Sequence, residues 1–184
     1  TGTQAVVLYR NLPEVRFDLF SVTPDEFLTL TGGAFWQKWE NFQPKEANRI
    51  RAWSRAGNAA RNRVGYMREP LLAADEQPLP AGVYYLETDG DIPRGQRPPR
   101  QLLVRADLNV VLKASTDAAL AWVTDLKTGQ PVSGAQVRFA DNGANDAKAV
   151  TGADGIAKVK LTSPRRPWEP LVAIATTEAG GFGV

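Results

Sequence analysis

The sequence predicts an all-β protein of two tandem immunoglobulin-like sandwiches, the first of which carries a short helical insertion. Short runs in which apolar and polar residues alternate recur about every 8–15 residues, a spacing typical of sandwich strands. Turn-forming Gly, Pro, Asn and Asp separate these runs. One region, about residues 23–43, has helical rather than strand patterning.

The composition limits the chemistry open to the chain. Apolar residues make up 43% of the 184 residues, and 22 basic against 20 acidic side chains leave a net charge of +2. This balance argues against a nucleic-acid partner. The absence of cysteine and histidine excludes thiolate and Ser-His-Asp chemistry, disulfides and the commonest zinc ligands. We therefore predict that the chain is not an enzyme and needs no cofactor.

Alternation defines the strands. Val15, Phe17 and Leu19 alternate with Arg16 and Asp18, which places the apolar side chains on one face of a strand. Further strands are predicted at 83–86, 102–105, 109–113, 120–123, 137–140, 156–161 and 171–177, and residues 182–184 resemble the start of a last one. The core of the second module should contain Val110, Leu112, Leu120, Trp122, Val137, Phe139, Ile156, Val159, Leu161, Val172 and Ile174.

The helical insertion begins with a capping signal. Thr23 is followed by Pro24 and, three residues after the cap, by Glu26. A second short helix should carry Phe35, Trp36, Trp39 and Phe42 on one face. We expect the insertion to pack on the edge of the first sandwich; an aromatic platform for carbohydrate or peptide is the alternative.

The domain boundary is predicted near residue 107, giving modules at 1–107 and 108–184. A Pro- and Arg-rich segment at 92–100 reads as an exposed hairpin loop of the first module. In the second module, Gly129 predicts a turn, Pro131 the start of a strand, and Gly134 a bulge or close backbone approach. Asp154-Gly155 predicts a tight hairpin. This motif supplies turns and no nucleophile.

Three stretches resemble bacterial alpha-2-macroglobulins: LPAGVYYLE at 79–87, LLVRADLNVVLK at 102–113 and AWVTDLKTG at 121–129. The turn motif of the second module is also shared with bacterial Ig-like adhesin repeats and carboxypeptidase regulatory-like domains. The resemblance is close over about 79–161 and looser over 5–75. It implies macroglobulin-like modules, the second of MG2 type, chained into an extracytoplasmic protein that traps endopeptidases.

What the resemblance implies for function is a scaffold role. The chain's partners would be neighbouring macroglobulin-like domains, with target proteases engaged by the full-length protein, whose membrane anchoring stays open. A chain without cysteine cannot carry the family's Cys-Gln thioester, and the 92–100 loop is a weak candidate for the bait segment. The alternative is an Ig-like tandem of a cell-surface adhesin or ligand-binding protein. The chain begins without Met, and we expect it to be part of a longer protein.

Other patterns carry weaker hypotheses. Arginines between Lys45 and Arg68, with Trp53 and Tyr66 among them, resemble a nucleic-acid groove, but alternation along 49–55 favours the solvated face of a strand. Calcium would need converging oxygens from Asp89 and Asp91, or from Asp141, Asn142, Asn145 and Asp146, where turn formation is the simpler explanation. Adjacent carboxylates, Asp25-Glu26 and Asp75-Glu76, are explained by capping and loop composition. We assign no catalytic, cofactor-binding or metal-binding residue.

Overall fold

The computed structural model describes residues 2–31, 41–90, 98–141, 145–166 and 168–184. Two compact units divide the chain: Thr1–Val22 with Gln43–Leu103, and Thr23–Phe42 with Val104–Val184. The described residues form thirteen strands, one α-helix and one 3₁₀ turn at Glu46–Asn48. The predicted all-β class with a short helix is therefore confirmed.

The first unit contains a two-stranded ribbon and a four-stranded sheet. The ribbon pairs β1 with β4 in antiparallel register, and the sheet has the order β3-β2-β5-β6. The strands are β1 Gln4–Arg10, β2 Glu14–Val22, β3 Arg49–Ala56, β4 Val64–Pro70, β5 Gly82–Asp89 and β6 Arg100–Arg105.

The core of the first unit follows the predicted alternation on β2. Val15, Phe17 and Leu19 are at most 2% exposed, as a strand with one buried face requires. The register shifts between Leu19 and Phe20, a β-bulge that lets both neighbours be buried. On β5 the run Val83–Leu86 is buried throughout, as expected of a strand covered on both faces.

The second unit is a sandwich of two sheets, with strand orders β10-β9-β12-β13 and β11-β8-β7. Its core includes Val123, Val137 and Phe139, each at most 1% exposed. The strands are β7 Leu108–Ala114, β8 Ala118–Asp125, β9 Gln136–Ala140, β10 Asp146–Val150, β11 Ile156–Lys160, β12 Val172–Thr176 and β13 Phe182–Gly183.

The predicted core of the second unit is right on β9 and wrong on β8. Val137 and Phe139 belong to the core, and Val110, Leu112, Val159 and Leu161 pack against it while partly exposed. Ile174 is buried and Ile156 and Val172 are half-buried, but these three predicted core residues lie outside this core, since Ile156 is opposite Trp122 and Ile174 is opposite Arg138. On β8, however, the buried side chains are Ala119, Ala121 and Val123, so Leu120 and Trp122 point to the opposite face, and Trp122 is 42% exposed. Both faces of this strand are apolar. The prediction chose the face with the larger side chains, Leu120 and Trp122, but the smaller side chains face the core.

The helix α1, Pro24–Thr31, has the predicted capping box. The Thr23 backbone N–H donates to Glu26 Oε2 at 2.9 Å, and the Glu26 N–H donates to Thr23 Oγ1 at 3.2 Å. The expected packing on the first sandwich is not observed for α1, which groups with the second unit. There Asp25 of α1 forms an ion pair of 2.5 Å with Arg138 on β9, and Phe27 and Leu30 of the helix are buried. The predicted second helix falls almost entirely outside the described residues.

Two predictions from the turn motif need correction. Gly129, Gly134 and Gly155 have φ of +71°, +78° and +74°, so each takes a turn conformation that favours glycine. Asp154-Gly155 does not close a hairpin, because β10 pairs with β9 and β11 with β8 in the other sheet. Pro131 forms an isolated bridge to Thr124, and β9 begins only at Gln136.

Candidate interaction surfaces

The predicted carboxylate pairs have structural partners. Glu26 caps α1 and Asp25 pairs with Arg138. Asp75 Oδ1 accepts the Gln77 N–H at 3.1 Å, which forms a turn. Glu76 lies 3.6 Å from Arg51. Each of these four carboxylates therefore has a structural partner within the chain.

Of the two clusters considered as alternatives for calcium, the one at Asp141 and Asn145 forms hydrogen-bonded turns, as expected. Asp141 accepts both the backbone N–H of Asn145 at 2.8 Å and its side-chain amide at 2.5 Å. Asn145, 2% exposed, in turn accepts from Thr162 Oγ1 and from the Ser163 N–H. Among the described residues no group of three or more acidic side chains could hold a metal ion. Asn142 and Asp91 lie outside the described residues.

Two other carboxylates of these clusters are paired with arginines. Asp89 accepts from Arg16 at 2.9 Å, which is the main reason why the pKa of Asp89 is lowered. Asp146 accepts both Nε and Nη2 of Arg138 at 2.8 Å, and this bidentate pairing lowers the pKa of Asp146. The carboxylate oxygens of Asp89 and Asp146 therefore accept hydrogen bonds from arginines of the same chain.

The arginines of β3 do not form the predicted solvated face. Arg51, Trp53 and Arg55 lie opposite the buried Leu19, Phe17 and Val15, so they share the face of β2 that lines the core. β3 is an edge strand; the Arg55 side chain is 46% exposed, whereas the Arg51 side chain is 18% exposed and its guanidinium lies 5.1 Å from the centroid of the Trp53 ring. Trp53 stacks on Phe17 with ring centroids 5.1 Å apart and an interplanar angle of 9°.

A buried carboxylate joins the ribbon to β3. Glu69 on β4, 4% exposed, accepts the indole N–H of Trp53 at 2.9 Å. It also accepts Arg55 Nε at 2.9 Å and Nη2 at 2.8 Å. Glu69 therefore receives three hydrogen bonds from the other sheet of the unit. Such bonds satisfy a charge that would be costly to bury alone.

The outer surface of the ribbon is apolar and cationic. Val6 and Leu8 on β1 are 60% and 71% exposed, and Val64 and Tyr66 on β4 are 64% and 67% exposed. The register places Leu8 opposite Tyr66, Val6 opposite Arg68 and Val64 opposite Arg10. We call these six side chains the ribbon face. Sequence analysis missed it because only the pairing of β1 with β4 brings the two strands together.

The sheet β11-β8-β7 carries a second exposed apolar surface. Trp122 lies between Val111 on β7 and Ile156 on β11. The next position on β8, Leu120, has Lys113 and Lys158 as its neighbours in register. This tryptophan, predicted for the core, instead belongs to a surface flanked by lysines.

Arg138 binds α1 on the outer face of the sheet β10-β9-β12-β13. Its guanidinium binds Asp146 on β10 and Asp25 on α1, and both hydrogen bonds raise the pKa of Arg138. Next to it lies a cavity of about 300 Å³ lined by Pro24, Lys148 and Ile174, among others. Sequence reasoning could not have found this contact, because 113 positions separate Asp25 from Arg138.

Two other predicted sites cannot be placed. The alternative aromatic platform, formed by Phe35, Trp36 and Trp39, lies outside the described residues, as does most of the 92–100 loop.

Among the described residues no helix is long and apolar enough to cross a membrane.

Together these features define the class of the protein. Each unit is built of antiparallel sheets around its own core, and the polar clusters described above hold strands, turns and the helix in place. This β-sandwich fold matches that of solved macroglobulin domains.

The comparisons lead to the bacterial alpha-2-macroglobulins. Over 103 residues, 56% of the chain, the sequence is 30% identical to an alpha-2-macroglobulin of Ralstonia nicotianae. A crystal structure of native alpha-2-macroglobulin from Escherichia coli spanning domains MG0-NIE-MG1 matches 96% of the chain with a TM-score of 0.68 and 19% identity. A second, spanning NIE-MG1, matches 96% with a TM-score of 0.69 and 20% identity. The predicted resemblance to bacterial alpha-2-macroglobulins is confirmed.

The coverage of these relatives is partial. The chain spans 6% of the Ralstonia protein and 56% and 85% of the two solved chains. No protein-family model matches the chain.

Proposed function

We propose that the chain supplies structural modules to a bacterial alpha-2-macroglobulin-like inhibitor that traps endopeptidases. The observation that carries this proposal is the 30% identity over 103 residues to an alpha-2-macroglobulin. The fold supports it, since both units match the solved domains over 96% of the chain. Fold alone would be a weak reason, because sandwiches serve many functions.

In this role the chain acts as scaffold and spacer and has no catalytic activity of its own. Its partners are neighbouring macroglobulin-like domains, and proteases are engaged by the full-length protein outside the cytoplasm. The satisfied hydrogen-bond networks around Glu69 and Asn145 are consistent with a scaffold role, because such networks rigidify a module.

The type and boundaries of the two modules are part of the proposal. The sequence predicts modules at 1–107 and 108–184, the second of MG2 type. The match of the whole chain to a structure spanning NIE-MG1 favours that pair of domains instead. A longer sequence of the parent would decide between them by the number of modules that precede residue 1.

The experiment captures the native full-length protein from cells with an antibody against this chain. Its mass is followed on denaturing gels before and after a broad-specificity protease is added. We expect a large protein that is cut in one limited region and retains the protease. A matched sample with the protease blocked at its active site should be neither cut nor retained. Covalent adducts would locate a thioester outside these residues.

The opposite result identifies the alternative. A full-length protein of ordinary size, or a large one that is degraded without retaining protease, would overturn the inhibitor role. An adhesin-like tandem would then be expected to show tryptophan fluorescence changes with glycans or peptides.

A further inference from the structure

We infer that the ribbon face is the docking surface for another domain of the same longer protein, and that this domain presents acidic residues around an apolar patch. This inference rests on the proposed function only in assuming further domains. The ribbon face consists of the apolar side chains Val6, Leu8, Val64 and Tyr66, with Arg10 and Arg68 toward its two ends.

The exposure of these side chains needs an explanation. Single exposed apolar residues are common, but contiguous apolar patches on a soluble protein usually mark an interaction site. Here four large apolar side chains are at least 60% exposed and adjoin one another across one strand pair. The inner face of the same ribbon meets the ordinary requirement, since Tyr9 belongs to the core and Ala5, Val7 and Met67 pack against it.

The charge of the surface specifies the chemistry of the partner. Arg10 and Arg68 lie on the ribbon face, and Arg61 and Arg63 are exposed in the segment that leads into β4. None of these four arginines has an ion-pair partner among the described residues. The single carboxylate on β1 or β4 is Glu69, which is buried on the opposite side. A second copy of the chain would bring arginines against arginines, whereas acidic side chains would pair with them.

The size of the surface favours a tethered domain over a separate protein. Each ribbon strand has 7 residues, so at about 3.4 Å per residue the face is roughly 24 Å long and two strands wide. A stable complex between separate proteins buries about 800 Å² on each partner, more than a face of this width supplies. A domain on the same chain is held at a high effective concentration and needs less. The sequence match covers only 6% of the Ralstonia alpha-2-macroglobulin. A relative of that length has many further domains that could occupy the face.

The test uses the absence of cysteine from this chain. Leu8→Cys places a thiol on the ribbon face, and Lys127→Cys places a control thiol in an exposed turn of the second unit. The rate of maleimide labelling of each variant is measured in the 184-residue chain and in the native full-length protein, with the labelled peptide identified by mass spectrometry. Comparing each thiol with itself removes the effect of neighbouring charges on its reactivity.

The expected result is slower labelling of Leu8→Cys in the full-length protein. A domain docked for about 90% of the time slows labelling about tenfold, while Lys127→Cys should label equally fast in both. Arg10→Glu with Arg68→Glu in the full-length protein should restore fast labelling of Leu8→Cys, because the acidic partner is repelled.

Equal labelling rates of Leu8→Cys in the two proteins would overturn the inference. Slower labelling that survives the two charge reversals would overturn the acidic partner. Fast labelling in the full-length protein that slows only when vesicles of anionic phospholipid are added would overturn the docking domain in favour of a membrane surface. These outcomes are independent of protease retention, so the failure of this inference and the failure of the proposed function are distinguishable.

Discussion

Replacing Glu69 by alanine tests whether its buried carboxylate stabilises the first unit. The Glu69 side chain is 5% exposed and accepts hydrogen bonds from Trp53 and Arg55. Glu46 offers a matched control, because it also pairs with an arginine of β3, at 2.7 Å, but is 73% exposed. The two variants therefore remove the same ion-pair chemistry at opposite degrees of burial.

The expected loss of stability follows from the partners that remain. Leaving the Trp53 indole N–H without its acceptor costs about 1–2 kcal/mol. Removing the buried Cγ methylene group costs about 1 kcal/mol more. The Arg55 side chain is 46% exposed and can be rehydrated, so its contribution is at most about 1 kcal/mol. We expect Glu69→Ala to lower the free energy of unfolding by about 3 kcal/mol and Glu46→Ala by about 0.5 kcal/mol or less.

Urea unfolding measures the difference. Tryptophan fluorescence reports on the first unit through Trp53, which stacks on Phe17, and on the second through Trp122 and Trp168; circular dichroism also follows both units. The transitions of the two units are fitted separately where they do not coincide. If Glu69→Ala and Glu46→Ala lower stability equally, the reasoning from burial is refuted. Glu69→Gln, which keeps the shape and one acceptor, should fall between them.

Three further predictions concern the second unit. Gly155→Ala should be more destabilising than Gly129→Ala by about 2 kcal/mol or more. Both glycines have positive φ, but a Cβ added to Gly155 would lie 2.5 Å from the Val123 carbonyl oxygen, whereas a Cβ added to Gly129 would meet no atom within 4 Å. Phe139→Ala should cost about 3–5 kcal/mol and Trp122→Ala about 1 kcal/mol or less, because their exposed fractions are 0% and 42%; thermal unfolding measures both pairs. Asp146→Asn should lower the unfolding midpoint at neutral pH. Since pairing with Arg138 depresses the folded-state pKa below the ordinary 3.8, the wild-type advantage is complete above that value and disappears as the pH falls through the lowered pKa.

Each of these has a clear contrary result. Equal losses for the two glycine variants would mean that conformational strain alone, not the close approach of the backbone, explains Gly155. A loss for Trp122→Ala as large as that for Phe139→Ala would place the tryptophan in the core. An advantage of wild type over Asp146→Asn that persists at the lowest pH would mean that the charge of Asp146 is not its cause.

Local patterns predicted most of the strands, missed β1, β4 and β10, and did not give the strand pairing. Alternation on β2 placed Val15, Phe17 and Leu19 correctly, because polar residues between them leave one choice of face. On β8 both faces are apolar, and the core takes Ala121 and Val123 while Trp122 faces outward. Hydrophobicity alone cannot select between two apolar faces; the packing space between the sheets does.

The same limit applies to turns and surfaces. Asp154-Gly155 was recognised as a turn, but turn chemistry is local and does not say whether the flanking strands pair with each other. The arginines of β3 looked like a solvated face because their carboxylate partners lie on other segments: Glu69, the partner of Arg55, follows it by 14 positions on β4, and Glu76, the partner of Arg51, lies further on. The Arg138 contacts and the ribbon face likewise depend on pairings between distant segments, which one sequence does not reveal.

The grouping of α1 with the second unit has a consequence for synthesis and dissection of the chain. The helix leaves the ribosome long before β9, so Asp25 must wait for more than half of the chain before Arg138 can bind it. A single cut at residue 107 would leave α1 on one piece and its sheet on the other. Truncations made at that point should expose the outer face of β9, β10 and β12, whereas a fusion of residues 23–42 to 104–184 would keep the unit whole.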